Sequence, residues 1–91
     1  MPTIEFHGYR AEAERPLAEE VRNRLAPLPF APDIVLSLGT REVVEDLSGR
    51  PRPFLRVLTR SVERASHLLQ ELRPIADVEI VLINFFERKP S

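Results

Sequence analysis

Twice along this chain a short run of alternating apolar residues is followed by an apolar stripe at helical spacing and then by another alternating run. A period of two belongs to a strand and steps of three and four belong to a helix, so the order reads β-α-β and then β-α-β again. In the first unit Ile4 and Phe6 alternate with Thr3, Glu5 and His7, and Gly8 closes the strand. Leu17, Val21, Leu25 and Leu28 then share one helical stripe, and Ile34, Leu36 and Leu38 alternate with Val35, Ser37 and Gly39. In the second unit Phe54 to Leu58 is the strand, Val62, Ala65, Leu69 and Leu72 form the stripe with Leu68 beside it, and Val78 to Phe86 is the last strand. This internal similarity predicts an α+β fold in which two consecutive β-α-β units form a four-stranded sheet with two helices on one face.

Prolines set the boundaries. Pro16 is tolerated in the first turn of a helix, where N–H groups lack intrahelical partners, so the first helix is expected to start near Ala13. Pro27, Pro29 and Pro32 close that helix, and Pro74 ends the second, which Ser61 or Thr59 is placed to cap. Val43 and Val44 suggest a weak resumption of the second strand, and Leu47 to Pro53, with Ser48-Gly49 and two prolines, reads as a turn. A chain of 91 residues has room for one core, so residues 1–91 are expected to form a single domain. With both helices on one face, the other face has no cover, and Val35, Val81, Ile83 and Phe85 point apolar side chains that way. An uncovered apolar face calls for a partner, most economically a second copy of the chain.

Composition removes several function classes. A net charge of −1 and scattered arginines provide no basic field, so nucleic acid is not an expected partner. The absence of cysteine removes disulfides, thiolate nucleophiles and cysteine-ligated zinc, and fits a cytoplasmic address. Apolar runs such as Ile80 to Ile83 fall far short of the roughly 20 residues of a membrane helix, and the start of the chain lacks a signal-peptide pattern. No membrane role is expected.

Few residues offer chemistry by themselves. His7 and His67 are isolated, without an HExxH spacing or a third ligand, so they read as structural or surface residues and no metal is expected. Ser37, Ser48, Ser61 and Ser66 lack a nucleophile-elbow context, and Gly8, Gly39 and Gly49 are too dispersed for a phosphate loop. Pro2 is the unusual candidate. It is either merely a small second residue or, once Met1 is removed, a secondary amine that partial burial or a nearby cation turns into a neutral general base.

The start Met1-Pro2-Thr3-Ile4-Glu5-Phe6, the strand closed by Gly8, the helix segment Leu17-Ala18-Glu19-Glu20-Val21 and Ala31-Pro32 before the next strand together resemble the tautomerase superfamily. This is the superfamily of 4-oxalocrotonate tautomerase and macrophage migration inhibitory factor. Ile83-Asn84-Phe85-Phe86-Glu87 is similar to a stretch in the last long strand of the inhibitory-factor branch, and Pro53-Phe54-Leu55-Arg56-Val57 is similar to a small bacterial branch. The resemblance implies a tautomerase-like fold, a homotrimer whose sheets face inward, and an isomerase that needs no cofactor. In it the amino-terminal proline shuttles a proton between carbon and oxygen of a small keto-enol carboxylate. Catalysis then falls to Pro2, and substrate binding to Arg10, one residue out of register with the family's arginine, to Arg41 after the second strand, and to Asn84. Two alternatives stay open: a non-catalytic oligomeric binding or structural protein of the same fold, and a ferredoxin-like ligand-binding module.

Overall fold

In the computed structural model, which describes residues 1–39 and 42–83, both units take the expected order. The elements are β1 (Thr3–His7), α1 (Ala11–Leu25), a 3-10 turn (Ala31–Asp33), β2 (Val35–Ser37), β3 (Phe54–Thr59), α2 (Val62–Leu72) and β4 (Val78–Leu82). The strands form one four-stranded mixed sheet in the order β2-β1-β3-β4. β1 runs parallel to β2, β3 runs parallel to β4, and the two units meet where β1 lies antiparallel to β3. Each unit therefore keeps its strands side by side, whereas a ferredoxin-like sheet interleaves them.

Alternation sorts the sheet into two faces. Ile4 and Phe6 of β1 and Leu55 and Val57 of β3 pack with Ala18, Val21 and Leu25 of α1 and Leu68 and Leu72 of α2 into a single buried cluster. Both helices thus cover the same face. At roughly 25 cal/mol per Å² of apolar surface removed from water, these central strands and helix stripes supply most of the drive to fold.

Several boundaries differ from the sequence reading. α1 begins at Ala11, not near Ala13, because the Arg10 carbonyl accepts the N–H groups of both Ala13 (3.0 Å) and Glu14 (2.8 Å) and opens the helix two residues earlier. Pro16 consequently lies inside the helix, where its ring nitrogen cannot bond the Glu12 carbonyl; both residues are exposed, so that carbonyl is open to solvent. β2 ends at Ser37, and Val43 and Val44 form no strand. That segment instead turns back through an isolated bridge between Glu45 and Pro51. Asp46 organises the turn, its carboxylate accepting from the Ser48 hydroxyl (2.6 Å) and from the N–H groups of Ser48 (2.9 Å) and Arg50 (3.1 Å). In α2 the buried stripe is Ala65, Leu68 and Leu72, with Val62 exposed, and Ser61 is the N-cap, accepting the Arg64 N–H at 3.1 Å. The part of the last strand expected beyond Ile83, including Phe85, lies outside the described residues.

The uncovered face is divided. By the strand register, Thr3, Val35, Leu58 and Val81 lie toward one end, while Glu5, Arg56 and Glu79 form a row across β1, β3 and β4, followed by His7 beside Phe54. The expectation of an apolar uncovered face is therefore corrected in part: Val35 and Val81 sit on it as expected, but its centre is charged. Among the described residues, no helix is long and apolar enough to cross a membrane.

Candidate functional site

Pro2 stands immediately before β1, an inner strand of the sheet. Its carbonyl accepts the Val35 N–H at 2.9 Å, which fixes it against β2. Its ring is fully buried, whereas Met1 before it is 81% exposed. With Met1 in place the Pro2 nitrogen is an amide and has no basic lone pair. Extending the β1–β3 register by one step from Thr3↔Leu58 sets Pro2 opposite Thr59, a buried residue whose hydroxyl accepts the Ser61 N–H at 3.2 Å. Pro2 therefore belongs to the end of the sheet where, among the described residues, the open face carries Thr3, Val35, Leu58 and Val81, while its own ring, in phase with Ile4 and Phe6, is buried on the helix side.

The other sequence candidates are not gathered around it. Arg10 is exposed and is the N-cap of α1, beyond the far end of β1 from Pro2. A strand rises about 3.3 Å per residue, so the length of β1 alone puts Arg10 well over about 10 Å away. One chain does not bring the two together; a second copy would have to supply Arg10. Arg41 and Asn84 lie outside the described residues. No protein-family model, no curated protein and no solved structure matches this chain.

The described residues do contain a tight polar cluster that the sequence reading passed over, on the open face at the other end of β1. His7 is its centre, with a side chain only 12% exposed. Its Nε2 lies 2.8 Å from Glu5 Oε1, its Nδ1 bonds Glu42 Oε1, and its ring stacks on Phe54 at 5.0 Å between centroids. Burial by itself lowers the pKa of His7, but the hydrogen bonds and charges of Glu5 and Glu42 outweigh it and hold the imidazole above its ordinary 6.5. Arg56 continues the cluster: its guanidinium bonds Glu79 at 2.9 Å, lies 4.0 Å from Glu5 and sits 5.3 Å over the Phe54 ring. Glu5 and His7, two apart on one strand, were legible as neighbours on one face. Glu42 was not, because nothing local ties it to β1.

His67, the second histidine, is exposed and lies 6.4 Å from Phe30 in a hollow beside the start of α2. Arg64 in the same hollow is already engaged, stacked over Phe30 at 4.8 Å and paired with Asp33 at 3.3 Å. Among the described residues no group of three or more histidine or acidic side chains is disposed to hold a metal ion.

Proposed function

We propose that this chain is a tautomerase-like isomerase of small keto-enol carboxylates, with the amine of Pro2, freed by loss of Met1, as general acid and base. The observation that carries the reading is the placement of Pro2: it is pinned by its carbonyl to β2 at the head of an inner strand, with its ring fully buried. The side-by-side β-α-β units also support it. In the reaction, the neutral amine removes the enol O–H proton as the carbon–oxygen double bond forms. A proton from the resulting ammonium goes to the former alkene carbon, so no oxidant or cofactor is consumed. Arginine suits a substrate carboxylate through its bidentate geometry, and Arg10 of a neighbouring copy, Arg41 and Asn84 are the residues proposed to bind it. A closed homo-oligomer, a trimer first, follows from needing that second copy, and a cytoplasmic setting goes with a cysteine-free chain.

The test begins with intact mass, to verify that Met1 is gone. The verified protein is then expected to speed ketonisation of a phenylpyruvate enol, and Pro2→Ala to reduce that rate by about 10² to 10⁴-fold with fold and oligomer intact. Arg10→Ala is expected to raise KM more than it lowers kcat. Inactivity of the verified free-Pro2 protein across several keto-enol acids would remove the enzyme reading. A non-catalytic oligomeric protein is the second reading, favoured by the distance of Arg10 from Pro2 within one chain. A mass that retains Met1 selects it.

A further inference from the structure

The His7 cluster raises a question of proton count that is independent of any role for Pro2. Each ring nitrogen of His7 faces a carboxylate, Glu5 at Nε2 and Glu42 at Nδ1. A carboxylate only accepts hydrogen bonds, and a neutral imidazole has one N–H to give; only the imidazolium, with two, satisfies both partners. Glu5 belongs to β1 itself, whereas Glu42 lies in the excursion that leaves the sheet after β2 and returns at β3. The same excursion closes against Gly8, next to His7, since a Cβ on Gly8 would meet Val44 at 3.0 Å and Pro53 at 3.3 Å.

We infer that His7 is a proton-operated latch, which in its charged form ties Glu42 and the chain around it to the open face of the sheet and on losing a proton lets Glu42 go. Glu42 is the partner released, because Glu5 keeps Arg56 as a neighbouring cation at 4.0 Å and is held by its strand. Among the described residues, the charged groups around the latch are Glu5 from β1, Glu42 from the excursion, Arg56 from β3 and Glu79 from β4; β2 contributes the neutral Ser37 opposite Glu5. The carboxylates outnumber Arg56, whose own bond is to Glu79, so the surroundings favour the charged ring. The sign follows. A histidine whose folded pKa is raised adds stability that is complete below its unfolded value of about 6.5 and is lost as pH rises through the folded value. The latch is closed in mildly acidic solution and open in alkaline solution.

Nuclear magnetic resonance on His67→Gln, which leaves His7 as the one histidine, tests this directly. The His7 ring signals are expected to titrate above about pH 6.5, and the backbone signals of Glu42 to Val44 to follow the same curve. Their heteronuclear NOE should fall on the alkaline side. Adding Glu42→Gln, an exposed change outside the core, should abolish the loop titration and make His7 titrate at lower pH, since the hydrogen bond and charge of Glu42 are lost. Loop signals and NOE values that stay constant through the His7 titration would overturn the latch, as would a His7 curve untouched by Glu42→Gln.

Discussion

Two glycines with nearly the same backbone angle show how much a single residue's surroundings decide. Gly8 has φ +79° and Gly39 has φ +78°, a left-handed conformation that costs an L-residue about 1 kcal/mol or more. Around Gly39 an added methyl meets nothing within 4 Å among the described residues; at Gly8 it meets Val44 at 3.0 Å and the Pro53 Cα at 3.3 Å, the latter in a backbone that cannot rotate away. Gly39→Ala is therefore expected to lower stability by about 1 kcal/mol in urea unfolding, and Gly8→Ala by distinctly more. Equal losses would show that the 42–53 excursion does not rest on Gly8. Gly8 was legible as the end of a strand because that is a local property of the alternation before it. Its second role as the seat of Val44 and Pro53 was not, since it depends on a long-range approach that no periodicity records. Glu42 beside His7 escaped for the same reason.

At the scale of elements, the strands and the buried helix stripes were legible because parity and helical step directly determine which side chains share a face. β1 was read to the residue, and Leu72 and Ala65 were placed on the core side of α2. The misreadings came where a local rule met a stronger partner. Val62 has the right spacing for the α2 stripe but is in the first turn, on the side that clears the sheet, and remains 69% exposed. Pro16 by the local rule marks the first turn of α1, yet the Arg10 carbonyl nucleates the helix earlier and leaves Pro16 in its interior. That costs α1 a backbone bond on an exposed face, so Pro16→Ala is expected to raise stability by about 1 kcal/mol or more, as a shift in the urea midpoint. Leu72→Ala, by contrast, opens a cavity under α2 and should cost about 2 to 5 kcal/mol. A Pro16→Ala protein less stable than the parent would mean that Pro16 itself is needed to seat Ala18, Val21 and Leu25.

At the scale of the whole molecule, the described residues form one layer of helices on one sheet, and the remaining question is what covers the other side. Thr3, Val35, Leu58 and Val81 border the Pro2 end of that face, and none of them belongs to the buried cluster beneath the helices. The charged row of Glu5, Arg56 and Glu79 begins one step further along β1 and β3, and its mixed signs oppose packing against a purely apolar surface. A second copy of the same face answers both parts, since it presents apolar residues to apolar residues and carries both signs of charge to pair with its own kind. Leu58→Asp tests this at its centre: Leu58 lies on β3 between Thr3 and Val81, so a carboxylate there would be trapped unpaired in an interface but would stand in water on a monomer. The fold should survive, because the neighbours Val57 and Thr59 keep their places on the helix side. Light scattering is expected to show a closed oligomer for the parent and a monomer for Leu58→Asp, with unchanged far-ultraviolet circular dichroism. In the same variant, any keto-enol activity that depends on Arg10 of a neighbouring copy should disappear along with the oligomer. A parent protein that is monomeric at micromolar concentration would sink the assembly, and with it any part for Arg10 at Pro2.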